Sequence, residues 1–223
     1  NKGVKRLGII GKKDVVYFDE IGRTRFADAD ATVNILKDYM QTGQFSRGDQ
    51  EFTSTASIVL AGNIELDVKD GVSKPSERYT HWLAVLPPEI NTDTAFIDRL
   101  NAYVPGWEFS KIKKEKYAKG YGFMTDYFAE ILKRLRERAI QTIVASHVDF
   151  GSETSRNQDS VQKTTSGLLK LIFPHKDVDT IQVDELKMCL DIAVEARQII
   201  YDQMAVISPG EYSSHLITPR IRG

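Results

Sequence analysis

The stretch VVYFDE at residues 15–20 decides the fold class, because four apolar residues are followed directly by two acids. A short apolar run with β-branched residues is typical of a strand that is buried on both faces of a parallel sheet. Ligands of open α/β sheets bind beyond the carboxyl ends of the strands, and Asp19 and Glu20 stand at that end. The stretch therefore predicts an α/β fold with a polar site at the end of this strand.

The two acids suit the chemistry of phosphate esters. An aspartate at a strand end can hold a hydrated Mg²⁺, which prefers oxygen ligands and keeps several of its waters. A neighbouring glutamate can orient and deprotonate an attacking water. Asp19 is therefore the candidate magnesium residue, acting through water, and Glu20 is the candidate general base. Two solvated acids at the end of a strand are the alternative interpretation.

On either side of this stretch, the pattern predicts an α/β region over residues 1–119. Its predicted elements are strands at 5–10, 57–62, 82–86 and 107–112, helices at 28–41 and 91–100, a hairpin within 44–56, and a loop over 64–81. From about residue 120 the apolar residues recur at three- and four-residue spacing, which is typical of amphipathic helices. Helices are predicted at 122–146, 159–173 and 181–206, so residues 120–223 form an all-helical part.

Composition limits the class of protein only broadly. The 223 residues carry 30 Lys and Arg against 31 Asp and Glu, so the net charge argues neither for nor against a nucleic-acid partner. The single cysteine, Cys189, excludes an internal disulfide and a cysteine-based zinc site, and its apolar neighbours predict a buried thiol. We see no apolar run of the roughly 18 residues that a membrane helix needs and no signal peptide, so we expect a cytoplasmic protein. The chain begins without Met and in mid-pattern, so we expect a fragment.

Three further polar residues are candidates for a phosphate site. Asn63 follows the second buried strand, where its amide can position a water against a terminal phosphate. Arg99 ends a short helix and can reach the nucleotide of a neighbouring subunit. Arg156 precedes a helix of the helical part and can contact phosphates within the same chain. Each also fits a structural role, as a turn asparagine, as an arginine beside its own Asp98, or as a surface arginine.

The order of these motifs resembles that of AAA+ ATPases. LKDYMQTGQFSRG (36–48), SIVLAGN (57–63) and FIDRLN (96–101) resemble bacterial enhancer-binding ATPases and MCM helicases, which carry a hairpin before sensor 1. A narrower resemblance, to the Lon-related AAA+ ATPases of the BrxL family of BREX phage-defence systems, covers nearly the whole chain. It is carried by VVYFDEI, LKDYMQTGQFSRG, VLAGNI, LPPEINTDTAFIDRLNAYVPGWE, YGFMTDYFAEILKRLR and TTSGLLKLIFP.

This resemblance implies a partial AAA+ P-loop ATPase core followed by a helical lid. It also implies ATP and Mg²⁺ as cofactors, hexameric rings of identical subunits, and hydrolysis coupled to movement on double-stranded DNA in phage defence. The implied roles are the Walker B magnesium residue for Asp19, the catalytic glutamate for Glu20, sensor 1 for Asn63, the trans arginine finger for Arg99, sensor 2 for Arg156 and a pore-facing DNA contact for Arg47. For Arg47, a solvent-exposed turn is the alternative.

The chain departs from the family pattern in two ways. It contains no G-x-x-x-x-G-K-[ST] loop, whose backbone amides and lysine hold the phosphates, so we expect that loop upstream and expect these residues alone to be inactive. A Lon-type protease fold with a Ser–Lys pair would lie downstream, so we assign no protease residues. Two other functions stay open, the ATPase module of an ATP-dependent Lon-type peptidase and a non-catalytic AAA+-like interaction domain.

Overall fold

A computed structural model describes residues 8–47 and 50–222 of the chain. They form two compact units. The first comprises the described part of Asn1–Arg99 together with Val206–Pro209, and the second comprises Leu100–Ala205 with the described part of Gly210–Gly223. The division into subdomains at residues 119 and 120 stays a prediction.

The first unit is built from short strands and two helices, in agreement with the predicted α/β class. In chain order these elements are β1 (Val15–Phe18), α1 (Ala29–Thr42), β2 (Gln44–Arg47), β3 (Gln50–Thr53), β4 (Ser57–Leu60), β5 (Leu66–Lys69), β6 (Val72–Pro75) and α2 (Thr94–Ile97). Strands β1 and β4 pair in parallel, with Val15 opposite Ser57 and Phe18 opposite Leu60. The predicted pair of parallel strands is therefore confirmed.

Helix α1 and the β2–β3 hairpin follow the predicted pattern. The Asp28 carboxylate caps α1 by accepting a hydrogen bond from the Ala31 amide at 3.2 Å. Gly43 ends the helix in the left-handed region with φ 72°, which glycine adopts without steric cost. Strands β2 and β3 pair antiparallel, while Gly48 and Asp49 of the predicted turn lie outside the described residues. The helix and the two strands of the hairpin are confirmed.

The core of this unit lies between one face of the β1–β4 pair and α1. Val16, Tyr39 and Ala56 are buried there, and the Tyr39 hydroxyl donates a hydrogen bond to the Ala56 carbonyl at 2.6 Å. The opposite face of the pair is exposed at Val15, Tyr17 and Val59. Only one face of this small parallel sheet is therefore covered by the described residues.

Three elements predicted from the sequence are wrong, and a fourth, the strand at 5–10, lies partly outside the described residues. Residues 64–81 are not a loop, because β5 and β6 pair antiparallel. Residues 82–86 form a 3₁₀ turn, Trp82–Val85, rather than a strand. The described residues of the predicted strand at 5–10 end in a 3₁₀ turn, Ile9–Gly11. The predicted strand at 107–112 begins in the 3₁₀ turn Gly106–Glu108 and has no strand partner among the described residues.

The helices of the second unit are α3 (Thr125–Glu137), α4 (Gln141–His147), α5 (Ser155–Ile172) and α6 (Val183–Ile207). A two-residue pairing joins β7 (Val148–Asp149) to β8 (Arg220–Ile221). Helices α5 and α6 confirm the predicted second and third helices, although α5 starts four residues earlier than the predicted 159. Among the described residues, no helix combines the length and the apolar character that crossing a membrane requires.

The single helix predicted over 122–146 is wrong in two respects. It divides into α3 and α4, and its aromatic residues Phe123, Tyr127 and Phe128, whose spacing predicts a core position, are exposed. The break lies at Arg138, whose backbone is extended with ψ 129°. Its guanidinium donates to the Pro174 carbonyl at 2.6 Å and to the Lys176 carbonyl at 2.5 Å, and it pairs with the Asp177 carboxylate at 2.8 Å. Charge-assisted bonds of this kind are stronger than neutral ones, so the three acceptors stabilise the break.

The core of the second unit contains one buried cation that the sequence pattern did not single out. Arg197 is fully buried in α6, and its Nε donates to the Asn157 Oδ1 at 2.9 Å. Its Nη1 donates to the Leu100 carbonyl at 2.7 Å. Cys189 lies in the same helix, and burial raises the pKa of its thiol to about 11. The predicted buried, unreactive thiol is therefore consistent with the structure.

Candidate functional site

The candidate site lies where β1 and β4 end. Because the two strands run in parallel, their carboxyl ends meet at one edge, and Asp19–Glu20 and Gly62–Asn63 follow them there. Backbone hydrogen bonds continue past the strands, from the Ala61 amide to the Phe18 carbonyl at 2.8 Å and from the Ile21 amide to the Ala61 carbonyl at 2.9 Å. The sheet therefore holds the predicted acids and the predicted amide at the same edge.

An open cleft of about 380 Å³ adjoins this edge. Its polar lining consists of Glu20, Arg23, Asn63, Glu65, Arg78 and Tyr79. The cleft thus contains one of the two predicted acids and the predicted amide. It also contains two arginines that sequence reasoning did not assign.

Glu20 occupies a strained backbone position. Its φ of 47° places it in the left-handed region, which costs a non-glycine residue on the order of 1 kcal/mol. The Asp19 carboxylate accepts a hydrogen bond from the Glu20 amide at 2.9 Å and so supports this turn. The Glu20 carboxylate forms an ion pair with Arg23 at 2.9 Å in which both side chains are exposed. The turn therefore presents two consecutive carboxylates with different partners, a backbone amide for Asp19 and a cation for Glu20.

The second arginine, Arg78, belongs to a cluster beside Glu20 and Asn63. Its guanidinium forms an ion pair with Glu65 and donates to the Tyr79 hydroxyl at 2.6 Å. It also lies over the Tyr79 ring, 4.6 Å from the ring centroid. Guanidinium groups bind phosphate oxygens through paired hydrogen bonds, but both arginines of the cleft already pair with carboxylates, Arg23 with Glu20 and Arg78 with Glu65. The Asp70-Gly71 turn of the β5–β6 hairpin was the sequence signal that could have located this cluster.

Gly22 allows the turn after Glu20 to pack against the 3₁₀ turn Trp82–Val85. A Cβ added at Gly22 would lie 2.4 Å from the Val85 carbonyl oxygen. Because that oxygen belongs to the backbone, a larger residue can be accommodated only if one of the two turns moves. Only glycine therefore fits at this position.

We expect Gly22→Ala to lower the free energy of unfolding by about 1 to 3 kcal/mol, the usual cost of inserting a methyl group into a packed region. The measurement is urea unfolding of the 223-residue chain followed by circular dichroism. The matched control is Gly62→Ala, because a Cβ there would meet the Ile21 side chain at an ordinary 3.5 Å. Equal stability of the two variants would contradict the close approach of the turns.

The other predicted residues lie in different settings. Asn63 is exposed. Arg99 is half-buried, its Nη1 donates to the Ala95 carbonyl of α2, and its buried Nε has no partner among the described residues. Arg156 lies in the first turn of α5, in the second unit. Arg47 ends β2, and its side chain lies outside the described part. The roles assigned to these four residues stay predictions.

The donor set at the strand ends fits magnesium only in part. In the described ranges 8–47 and 50–222, no group of three His, Cys, Asp or Glu side chains is arranged to hold a metal. Mg²⁺ does not need such a group, because it keeps several waters and takes one or two carboxylates together with phosphate oxygens. The Asp19 and Glu20 carboxylates and the Asn63 amide are oxygen donors of this kind.

Comparison with known proteins gives one consistent family. The family described as "Lon-like protease BrxL-like, ATPase domain" matches residues 1–218. The chain is 36% identical over 213 residues to "Lon-like protease BrxL" of Escherichia coli O9:H4 (strain HS). The matched region covers 95% of this chain and 29% of that protein. It is 35% identical over 213 residues to the protein of the same description from Bacillus cereus (strain H3081.97), covering 95% of this chain and 30% of that protein. The chain spans less than a third of the length of these relatives.

Proposed function

The chain belongs to the family of BrxL-like ATPase domains, and on this premise we propose that it supplies half of an ATP-hydrolysing site in a AAA+ motor. The observation that carries the proposal is the edge of the β1–β4 pair. There, two parallel strands end in an acidic pair and an amide, which is the arrangement needed to handle a magnesium-bound phosphate and a water.

Each residue then has a distinct role. Bound Mg²⁺·ATP supplies the phosphoanhydride that is cleaved and part of the charge neutralisation. Asp19 would hold the hydrated metal through its water ligands, and Glu20 would accept the proton of the attacking water. The Asn63 amide donates a hydrogen bond that holds this water, or a terminal phosphate oxygen, in line. Arg156 would be the sensor 2 residue that the resemblance to AAA+ ATPases implies.

The phosphate-binding half of the site would come from elsewhere in the longer protein. The 223 residues contain no G-x-x-x-x-G-K-[ST] loop. Parallel sheets are normally covered on both faces, whereas Val15 and Tyr17 of β1 are 53% and 59% exposed. The missing loop supports a phosphate cradle supplied by another segment, and the exposed face supports a further element that covers the sheet.

Sharing of the site between subunits is the next part of the proposal. Arg99 would reach the nucleotide of a neighbouring subunit in a ring made of hexameric units. Arg47 would contact double-stranded DNA in the pore of that ring, and hydrolysis would drive movement on DNA in phage defence in the cytoplasm. The support is the family membership and the order of the motifs along the chain.

The proposal is tested by comparing the full-length protein with the 223-residue chain. We expect the full-length protein to bind and hydrolyse ATP, and to lose hydrolysis when EDTA removes Mg²⁺. We expect the 223 residues to bind ATP weakly or not at all, because they lack the phosphate-binding loop. The measurements are calorimetric titration with ATP and phosphate release. Tight ATP binding by the short chain would contradict the division of the site.

A second candidate function is favoured by the names of the relatives, which are described as Lon-like proteases. In that case the same motor would feed a peptidase chamber. Peptide hydrolysis by the full-length protein, lost when a serine outside these 223 residues is replaced, would favour it. Full-length protein with an intact phosphate-binding loop but no ATPase activity, even with DNA, would favour a non-catalytic interaction domain.

A further inference from the structure

One stretch of the second unit is exposed along its whole length. Every residue from 108 to 130 is exposed. Residues 109–128, which we call the basic aromatic segment, contain only the 3₁₀ turn Lys114–Lys116 before α3 begins at Thr125. A Cβ added at Gly120 or Gly122 would meet no atom within 4 Å. The described parts of the chain therefore leave this segment uncovered.

The segment concentrates positive charge. Between Glu108 and Asp126 it carries five lysines against the single acid Glu115, whereas the whole chain has a net charge of −1. Lys116 donates to the Ser110 hydroxyl at 2.5 Å. The segment has four other lysines, Lys111, Lys113, Lys114 and Lys119. Within the described ranges, none of them forms an ion pair. These charges are therefore available to an anionic partner.

The same segment displays aromatic rings. Six of its eight exposed large apolar residues are aromatic, and the two most exposed are Tyr121 at 108% and Phe123 at 81%. The six are Phe109, Tyr117, Tyr121, Phe123, Tyr127 and Phe128. Of these, Phe123 and Phe128 stack on each other with ring centroids 5.7 Å apart, whereas Tyr121 projects into solvent. Rings thus alternate with unpaired cations along an open stretch of chain.

We propose that the basic aromatic segment binds single-stranded nucleic acid. Proteins that bind single strands combine cations that follow the phosphate backbone with aromatic rings on which unpaired bases stack. Lys111, Lys113 and Lys114 supply the first component, and Tyr121 and Phe123 supply the second. A protein partner with an apolar face would match the rings but would leave the lysines without counter-charges. The segment belongs to the second unit, whereas the residues that line the cleft belong to the first.

The electrostatic part is tested in the full-length protein with a labelled single-stranded DNA oligonucleotide, by fluorescence anisotropy over a series of salt concentrations. We expect the triple variant Lys111→Gln, Lys113→Gln, Lys114→Gln to bind at least about tenfold more weakly at low salt. We expect its slope of log affinity against log salt to fall by about 2, since each single-strand phosphate contact contributes about 0.7. The control is Lys163→Gln, which removes an exposed lysine of α5 in the same unit.

The stacking part is tested by Tyr121→Ala and Phe123→Ala. Loss of one stacked base weakens binding about five- to 100-fold, and we expect Tyr121→Phe to keep the affinity because it keeps the ring. These variants should leave the salt slope unchanged, because they remove no charge. Parallel titrations with an RNA oligonucleotide and with a DNA duplex identify the source of the strand. We expect Tyr121→Ala to leave the affinity for the duplex unchanged, since the bases of a duplex are not available for stacking.

Two results would overturn the proposal. One is an unchanged affinity and salt slope in the lysine variant. The other is a lower melting temperature of Tyr121→Ala with unchanged nucleic-acid affinity, which would mean that the segment packs against another part of the protein. The rate of ATP hydrolysis without nucleic acid should be the same in all variants, so failure of this proposal is distinguishable from failure of the ATPase assignment.

Discussion

Replacing Glu20 with glutamine in the full-length protein should reduce ATP hydrolysis about 100- to 10,000-fold while leaving ATP binding intact. This range is the usual contribution of a positioned general base. The amide has nearly the same shape as the carboxylate, but it cannot accept the proton of the attacking water. It removes no group that binds phosphate directly. The measurements are phosphate release under saturating ATP and calorimetric titration with ATP.

The matched control is Glu65→Gln, which neutralises another exposed acid of the same cleft. Glu65 is paired with Arg78 and has no proposed role in proton transfer, so we expect turnover within about threefold of the unchanged protein, as surface ion pairs contribute little. Normal turnover in Glu20→Gln would remove Glu20 from the mechanism. An equal loss in both variants would show that the charge of the cleft, rather than one base, is what matters.

Replacing Arg99 with alanine should have the second large effect, a fall in ATP hydrolysis of about 1,000- to 100,000-fold, because an arginine finger stabilises charge that develops in the transition state. Arg99→Lys should recover only part of the rate, since a lysine cannot reproduce the planar fork of donors.

Mixing the two inactive variants tests whether the site is shared. If Glu20 acts on its own nucleotide and Arg99 acts on that of the neighbour, some interfaces of a mixed ring pair an intact Glu20 with an intact Arg99. Activity should then reappear when Glu20→Gln and Arg99→Ala subunits are assembled together. A mixture as inactive as its components, in rings shown to exchange subunits, would place Arg99 outside the site of the neighbour.

The sequence predicted the elements that strong local signals specify. The β-branched runs at 15–18 and 57–60 marked a parallel pair, and the pattern over 28–41 marked helix α1. The resemblance to BrxL-type ATPases is confirmed by the family match over residues 1–218. These features are set by neighbouring residues or by long matching segments, so they did not depend on tertiary contacts.

The errors arose where one sequence pattern fits two structures, or where a contact distant in sequence determines the local structure. Leu83 and Leu86 are both buried. Their spacing of three residues fits a 3₁₀ turn, but the same short apolar run also fits a strand. Asp70 and Gly71 have φ values of 53° and 77°, the geometry of an Asp-Gly hairpin turn, and that signal was read as a loop. The break at Arg138 depends on carbonyls more than 30 residues away, so periodicity could not reveal it.

The bare face of the β1–β4 pair has a practical consequence for handling the protein. Two short parallel strands with exposed Val15 and Tyr17 offer unpaired backbone groups beside apolar side chains, and such edges are templates for pairing with another chain. The 223-residue chain will therefore tend to self-associate and lose solubility as its concentration rises.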